Sequence, residues 1–235
     1  PVDPPNQDEV SIGDIINYNL NGPRRFGFGT IRDWLIGIRF ILPDGRSIFN
    51  GGNVVKNVAG FDLCKLMIGS RGALGIVVEA IFKLSPLPEK EMVWVCTIQD
   101  LTQADALLLN IRKSILTPSI LDLLQETDGS LKLIVGFSGT TSDVDTQTEQ
   151  LFQMAKFNEG DLQYDNQVRT IAINTHSILP TEITDLIKQT TTTPWVSRAG
   201  NGILYSTKQP AQHTSSPIEK RIKQLFDPHG ILPAL

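Results

Sequence analysis

Between residues 92 and 155 the chain alternates apolar runs of strand length with longer runs of helix length, and this alternation most constrains its fold. Strands are predicted from apolar runs at 92–98, 119–124 and 131–137. The runs at 101–115 and 141–155 predict helices. This order of strand, helix, strand, strand and helix, followed by another strand, is typical of a ferredoxin-like α+β sandwich.

The rest of this region is expected to add a strand at 168–174 and a closing strand pair at 195–198 and 202–206. A helix is predicted to begin at Pro180, because a proline at the first helical position lacks only an N–H that would be unpaired anyway.

The first 88 residues follow a different pattern, which is rich in glycine and in paired strands. Ser11 precedes apolar residues at helical spacing and predicts a helix that it caps. Pro43-Asp44-Gly45 separates two apolar runs and predicts a β-hairpin, since proline presets one turn angle and glycine accepts a positive φ. A short helix at 62–68, a glycine loop and a strand at 76–84 are expected to follow.

These patterns divide the chain into three predicted regions. Residues 1–88 form the first domain, and residues 89–206 form the sandwich. Residues 207–235 form a polar linker followed by a short C-terminal helix.

Composition argues against several functional classes. The net charge is −4, from 21 basic and 25 acidic side chains, so no basic surface for nucleic acid is expected. No apolar run reaches the length of about 18 residues that a membrane span needs. Two cysteines without a CxxC partner are expected to be buried thiols in a reducing compartment, which predicts a cytoplasmic protein. The three histidines are too widely spaced to predict a metal site.

Two glycine-containing segments are candidate ligand-binding segments. Ser11-Ile12-Gly13-Asp14 lies where a loop enters a helix, and the N–H groups at a helix N-terminus can bind anions. In the segment 69–77 glycine recurs at every third position, which allows a backbone to approach a flat ligand closely. Taken alone, each segment is better explained by the formation of a tight turn than by ligand binding.

Taken in order, the motifs resemble a known family. The phrases Ser-Ile-Gly-Asp-Ile-Ile, Gly-Pro-Arg-Arg, Val-Lys-Asn-Val-Ala-Gly-Phe-Asp-Leu and Gly-Ser-Arg-Gly-Ala-Leu-Gly-Ile-Val are similar to those of the PCMH-type (vanillyl-alcohol-oxidase) FAD oxidoreductases. The second and third phrases look most like the FAD-binding E subunit of glycolate oxidase. The tail Ile-Lys-Gln-Leu-Phe-Asp-Pro-His-Gly also resembles the closing phrase of this family.

The resemblance implies a fold and an activity. The expected fold is α+β, with the C-terminal half of a PCMH-type FAD-binding domain followed by a ferredoxin-like cap domain. The first FAD subdomain, which precedes Asp3-Pro4-Pro5 in relatives, is expected to be missing. The implied activity is FAD-dependent oxidation of a small 2-hydroxy acid such as glycolate. An iron-sulfur subunit and a second flavin subunit are the implied partners.

The resemblance also implies site residues. The backbone of Ser11, Ile12, Gly13 and Asp14 is expected to line the flavin, and that of Gly75, Ile76 and Val77 the ribose-adenine side. Arg24, Lys56 and Asn57 are candidates for contact with the flavin or the substrate carboxylate, although surface ion pairing explains them equally well. No catalytic acid or base is assigned.

One departure from the family keeps alternatives open. Relatives usually have glycine where this chain has Asp14, and a carboxylate near a diphosphate is repulsive unless its side chain turns away. The alternatives are another flavin oxidase, acting on D-lactate, a sugar or an alditol, and a non-catalytic scaffold subunit that has lost FAD.

Overall fold

The computed structural model describes residues 2–4, 9–52, 62–166, 168, 174–189, 194–206 and 215–234. By its internal contacts the chain divides into two units. Unit 1 comprises Pro1–Asn21, Gly29–Ser85 and Gln212–Leu235, and unit 2 comprises Gly22–Phe28 and Pro86–Ala211. The boundaries expected from the sequence at 88/89 and 206/207 stay a prediction.

Unit 1 contains a three-stranded antiparallel sheet and four helices, numbered here along the whole chain. The sheet has the order β2-β1-β3 and is formed by β1 (Leu35–Ile41), β2 (Ser47–Gly51) and β3 (Ile76–Phe82). The helices are α1 (Ile12–Tyr18), α3 (Ile31–Trp34), α4 (Leu63–Met67) and α8 (Pro217–Phe226).

The predicted helix start and hairpin in unit 1 are both confirmed. The Ser11 hydroxyl accepts a hydrogen bond from the Asp14 N–H at 3.1 Å, and Asp14 accepts one from the Ser11 N–H. This capping box pairs two N–H groups that a helix N-terminus otherwise leaves unbonded. Strands β1 and β2 pair in antiparallel register around the turn at Pro43-Asp44-Gly45, where Gly45 has a φ of +83°.

The core of unit 1 lies on one face of its sheet. Ile38 and Phe40 of β1 are fully buried there, together with Ile16 of α1 and Met67 of α4. The Phe226 ring of α8 lies 6.4 Å from the Phe40 ring, measured between centroids. The C-terminal helix therefore packs on the same core as the first helix.

Unit 2 is built on a seven-stranded sheet of order β7-β4-β6-β5-β9-β10-β8. Its strands are β4 (Lys90–Ile98), β5 (Ile120–Gln125), β6 (Leu131–Gly139), β7 (Asn158–Glu159), β8 (Asn174–Ser177), β9 (Trp195–Arg198) and β10 (Ile203–Ser206). Its helices are α2 (Arg25–Phe28), α5 (Leu101–Lys113), α6 (Thr141–Phe152) and α7 (Ile183–Gln189).

The predicted ferredoxin-like pattern is confirmed. Strands β4, β5, β6 and β7, with α5 and α6 between them, follow the order strand, helix, strand, strand, helix, strand, and lie antiparallel in the sheet as β7-β4-β6-β5. Strands β9, β10 and β8 extend the sheet beyond β5. The helices cover one face, where Leu108, Ile111, Leu123 and Val135 are buried in one cluster.

Several details differ from the sequence analysis. The short helices α2 and α3 were not predicted, because four residues are too few to show a helical period. Val168 lies in a helical turn, where a strand was expected, and the rest of that expected strand up to 173 lies outside the described residues. The helix expected at Pro180 is confirmed, since a 3₁₀ turn over Pro180–Glu182 leads into α7.

No helix in the part of the chain that the structure describes is long and apolar enough to cross a membrane.

Candidate functional site

The first candidate segment, Ser11 to Asp14, forms the N-terminus of α1, and its own side chains cap it. The Asp14 carboxylate accepts a hydrogen bond from the Ser11 hydroxyl at 2.6 Å and another from the Ser11 N–H at 3.1 Å. These hydrogen bonds lower the pKa of Asp14. The carboxylate is therefore turned back onto Ser11. Among the described residues, a Cβ added to Gly13 would meet the Ser11 hydroxyl alone, at 3.5 Å.

The second candidate segment, the glycine loop 69–75, is hydrogen-bonded to the C-terminal half of α1. The Gly69 N–H donates to the Ile16 carbonyl at 2.9 Å, and the Arg71 N–H donates to the Asn17 carbonyl at 2.8 Å. Arg71 has a φ of +54°, which is uncommon for a residue with a side chain. The two segments singled out by the sequence therefore lie in the same unit, joined through α1.

Two buried polar atoms at this junction have no hydrogen-bond partner within the described ranges of the chain. They are the Oδ1 of Asn17 and the Oγ of Ser70, which is 4% exposed. Buried polar groups in native proteins are rarely left unpaired, and a bound water, ion or other polar group is one explanation for an exception. The junction between α1 and the glycine loop therefore fits a polar cofactor.

Gly75, Ile76 and Val77 lie at the start of β3. A Cβ on Gly75 would lie 2.9 Å from Cδ2 of Phe40 and 3.1 Å from the Ile41 carbonyl oxygen. Glycine is thus required there by the packing of β3 on β1. Ile76 is 59% exposed and Val77 packs on the core.

Arg24 belongs to unit 2 and has a carboxylate partner. Its Nε and Nη2 donate to the two oxygens of Glu91 at 3.1 and 2.9 Å, and the Ser138 hydroxyl donates to the same carboxylate at 3.0 Å. Burial alone would raise the pKa of Glu91, but the hydrogen bonds and charge of Arg24 outweigh it and lower the pKa. The guanidinium fork that was expected to bind a ligand is therefore occupied by Glu91. Lys56 and Asn57, the other two substrate candidates, lie outside the described residues.

The structure reveals a buried charge cluster in unit 2 that the sequence analysis missed. Arg198 on β9 pairs with Asp122 on β5 at 2.5 Å and also with Asp165. The Tyr164 hydroxyl donates to Asp122 at 2.7 Å. Arg198 and Asp122 are each 1% exposed. These four residues, Asp122, Tyr164, Asp165 and Arg198, are called the Arg198 cluster below.

The Arg198 cluster is not saturated with hydrogen bonds. The Arg198 Nε and the Asp122 Oδ1 are buried and have no hydrogen-bond partner among the described residues. Burial raises the pKa of Asp122 to about 6, although the charge of Arg198 opposes that rise. Burial also raises the pKa of Tyr164. Two carboxylates sharing one guanidinium leave an excess negative charge, which protonation of Asp122 relieves as pH falls below about 6.

A signal for this cluster is present in the sequence. Asp122 interrupts the apolar run Ile-Leu-Asp-Leu-Leu, and Arg198 follows Trp-Val-Ser in the last strand pair. A charge inside a buried strand predicts an opposite charge nearby, since isolated buried charges are costly. The sequence does not show which distant residue supplies it.

Each unit also contains a cavity. The cavity in unit 2 has a volume of about 510 Å³ and is bordered by Tyr164, the Glu126–Lys132 ion pair and the chain around Gly160. The cavity in unit 1 has a volume of about 230 Å³ and is mainly apolar, with Ile12, Ile15 and Trp34 in its wall. Among the described residues, no three His, Cys, Asp or Glu side chains are grouped so that they could hold a metal ion.

Comparison with solved structures defines the class of fold. Alkyldihydroxyacetonephosphate synthase matches with a TM-score of 0.69 at 16% identity, over 98% of this chain and 58% of that one. This likeness confirms the predicted fold class, which is the second half of a PCMH-type FAD-binding domain followed by a ferredoxin-like cap domain. No protein-family model matches the chain.

The curated relatives are more specific. Glycolate oxidase subunit GlcD of Bacillus subtilis is 37% identical over 126 residues, which cover 54% of this chain and 27% of that protein. Glycolate oxidase subunit GlcE of Escherichia coli is 41% identical over 93 residues, which cover 39% of this chain and 27% of that protein. A mitochondrial D-lactate dehydrogenase [cytochrome] of Arabidopsis thaliana is 28% identical over 164 residues, which cover 64% of this chain and 29% of that protein.

The resemblance stated from the sequence motifs is thereby confirmed, with a glycolate oxidase E subunit among the relatives. The chain spans less than a third of the length of each of these curated relatives.

Proposed function

We propose that this chain is part of an FAD-dependent oxidoreductase that oxidises a small 2-hydroxy acid. The observation that carries the proposal is its similarity to two glycolate oxidase subunits and to a D-lactate dehydrogenase. Glycolate and lactate share a hydroxyl group on the carbon next to a carboxylate. When bound, FAD supplies the hydride acceptor, and the protein supplies binding and orientation.

Unit 1 is proposed to hold the cofactor. The backbone of Ser11, Ile12, Gly13 and Asp14 and that of Gly75, Ile76 and Val77 are the proposed contacts. The unpaired Asn17 Oδ1 and Ser70 Oγ support a cofactor at the junction of α1 and the glycine loop. The Asp14 carboxylate adds a negative charge at this end of α1, and its hydrogen bonds with Ser11 stabilise that charge and direct the carboxylate onto Ser11.

The finer proposal is a role in a glycolate oxidase complex in the cytoplasm. Similarity to both a D and an E subunit supports a second flavin subunit as a partner, and an iron-sulfur subunit follows from the resemblance to the E subunit. Lys56 and Asn57 stay candidates for contact with the flavin or the substrate.

The test is to purify the whole protein, identify any released cofactor, and measure dye reduction with glycolate, D-lactate and a sugar. The proposal predicts FAD, and faster dye reduction with the two hydroxy acids than with the sugar. If the protein contains FAD but reduces the dye with the sugar alone, the fold assignment stands and the proposed substrate class is wrong.

A scaffold subunit without FAD is the second candidate, and Asp14 is the observation that favours it. If the whole protein contains no FAD, the Asp14→Gly variant separates the two explanations. Flavin binding restored by this variant means that Asp14 alone blocks the cofactor. No binding in either form supports the scaffold.

A further inference from the structure

The cavity in unit 2 lies on the face of the seven-stranded sheet that α5 and α6 do not cover. Successive residues of a strand face opposite sides of a sheet, so Leu123 packs under the helices and Leu124 packs on the second face. Val95 of β4 and Ile134 of β6 lie on this second face with Leu124, and all three line the cavity. The sheet therefore gives the cavity an apolar floor, and its volume of about 510 Å³ suits a small organic ligand.

The wall opposite this floor belongs to residues 160–165, which are fixed at both ends. At one end the Gly160 N–H donates to a carbonyl of β4 at 2.9 Å, and a Cβ on Gly160 would lie 2.2 Å from Cγ2 of Val95. Only glycine allows the chain to pass so close to the strand. At the other end Tyr164 and Asp165 are bound within the Arg198 cluster. Both walls of the cavity are thus fixed by contacts within unit 2.

The ionisable groups that line the cavity are mostly acidic. Among the described lining residues, three carboxylates (Glu126, Glu159 and Asp161) stand against one ammonium group, that of Lys132, which leaves two negative charges in excess. Lys132 pairs with Glu126 at 2.9 Å. In the described part of the chain, no cation pairs with the exposed side chains of Glu159 and Asp161.

The Arg198 cluster adds charge of the same sign. Tyr164 lines the cavity and donates its hydroxyl proton to Asp122, so the cluster adjoins the cavity wall. The cluster has two carboxylates for one guanidinium. Charges of one sign around a cavity with an apolar floor attract ligands of the opposite sign and disfavour ligands of the same sign.

We propose that this cavity binds a small organic cation with an apolar body. The apolar body lies on the floor formed by Val95, Leu124 and Ile134, and the cationic group lies near Glu159 and Asp161. An anion such as a 2-hydroxy acid is disfavoured here, so the cavity is a site separate from that of the proposed substrate. The inference does not depend on the proposed function, because every residue that carries it belongs to unit 2.

The experiment compares three probes of similar shape and different charge, namely benzylammonium, benzyl alcohol and benzoate. Binding to the whole protein is measured by ligand-observed NMR titration, with and without added FAD, and needs no turnover. Benzylammonium is expected to bind roughly 10-fold or more tightly than benzoate, with benzyl alcohol between them, since only the charge differs. Added FAD should leave these affinities unchanged.

Four variants test which charges act on the probe. Glu159→Gln and Asp161→Asn are each expected to weaken benzylammonium binding roughly 3- to 10-fold, the size of one exposed charge about 4 Å away. Lys132→Met removes a positive charge and keeps the apolar stem, so it should tighten binding by a similar factor. Glu149→Gln is the matched control, because Glu149 is exposed on α6, on the other side of the sheet, and should leave binding unchanged.

Four results overturn the site. They are a wild-type protein that does not bind benzylammonium, equal affinity for all three probes, unchanged binding in both Glu159→Gln and Asp161→Asn, and weaker binding in Lys132→Met. A loss in Glu149→Gln as large as that in Glu159→Gln also overturns it, because the effect would then come from overall charge. If the protein contains no FAD but binds benzylammonium through Glu159, the proposed function fails and the cation site stands.

Discussion

Each unit contains an ion-pair network around a buried charged side chain, Asp227 in unit 1 and Arg198 in unit 2, and the two networks differ in how completely their hydrogen bonds are made. In unit 1, Lys223 of α8 donates to Asp227 at 2.6 Å and to the carbonyls of Ala73 and Leu232 at 2.9 and 3.2 Å. Asp227 also accepts from the N–H groups of Ile231 and Leu232. All three donors of the lysine are used. In unit 2, the Nε of Arg198 and one carboxylate oxygen of Asp122 have no partner in the part of the chain that the structure describes.

This difference separates a structural role from a candidate functional one. The Lys223–Asp227 pair ties the C-terminal helix to the glycine loop through Ala73, and every group has a partner, as expected for a structural contact. The Arg198 cluster has two carboxylates for one guanidinium, and that guanidinium lies over the Tyr205 ring at 5.7 Å from its centroid. Incomplete pairing in a buried site is the property that ligands and proton transfer exploit.

The largest effect is expected from Arg198→Leu. Removing this guanidinium leaves Asp122 and Asp165 buried without a positive partner, which is expected to cost about 3–5 kcal/mol of unfolding free energy. Urea denaturation monitored by circular dichroism measures the loss. Asp165→Asn is the matched control, because it removes the surplus charge and should cost far less. Equal losses in the two variants would contradict the unequal charge balance of the cluster.

The second prediction concerns pH. The pKa of Asp122 is raised from 3.8 to about 6. Its protonated form therefore adds to the free energy of unfolding; this contribution is complete at low pH and is lost as pH rises through 6. This loss is roughly 3 kcal/mol between pH 4 and pH 7, and Asp122→Asn should remove it.

The pKa of Asp227 moves in the opposite direction. Burial alone would raise it, but Lys223 and the backbone N–H groups lower it to about 2. The contribution of ionised Asp227 to the free energy of unfolding is therefore present above pH 4 and is lost as pH falls toward 2. Stability curves of Asp122→Asn and Asp227→Asn against pH should flatten in these two separate windows. Flattening of both in the same window would remove the contrast between the units.

The third prediction is Lys223→Met, which removes three charge-assisted hydrogen bonds but keeps the apolar stem. We expect a loss of about 2 kcal/mol, because Asp227 retains two backbone donors. Chemical denaturation measures the loss, and limited proteolysis locates it, since the tail after α8 should be cleaved first. A cost larger than that of Arg198→Leu would reverse the ranking of the two networks.

The smallest effect is expected at an exposed pair of unit 1. Arg39 on β1 pairs with Glu79 on β3 at 2.7 Å, with side chains 41% and 46% exposed, and its guanidinium lies 5.0 Å from the Phe49 ring centroid. Arg39→Gln should cost less than about 1 kcal/mol, because solvent screens exposed pairs. The check is to measure thermal unfolding of the wild type and the variant at low and at high salt. If the difference in stability between them disappears at high salt, the contribution of Arg39 is electrostatic.

Local features were predictable from the sequence because they depend on neighbours along the chain. The cap at Ser11, the turn at Pro43-Asp44-Gly45 and the strand and helix order of the ferredoxin-like sandwich all follow from short-range patterns. The Arg198 cluster was not predictable, since its members come from positions 122, 164, 165 and 198. The pairing of Arg24 with Glu91 was hidden for the same reason, because the two residues are 67 positions apart.

The most direct test of the central claim is the absorbance spectrum of the whole protein, recorded without oxygen before and after addition of glycolate. The proposed function predicts flavin bands near about 370 and 450 nm, and bleaching of the second band as the flavin takes up the hydride. A spectrum without flavin bands, in protein purified from its own cells and supplied with FAD, would contradict the account.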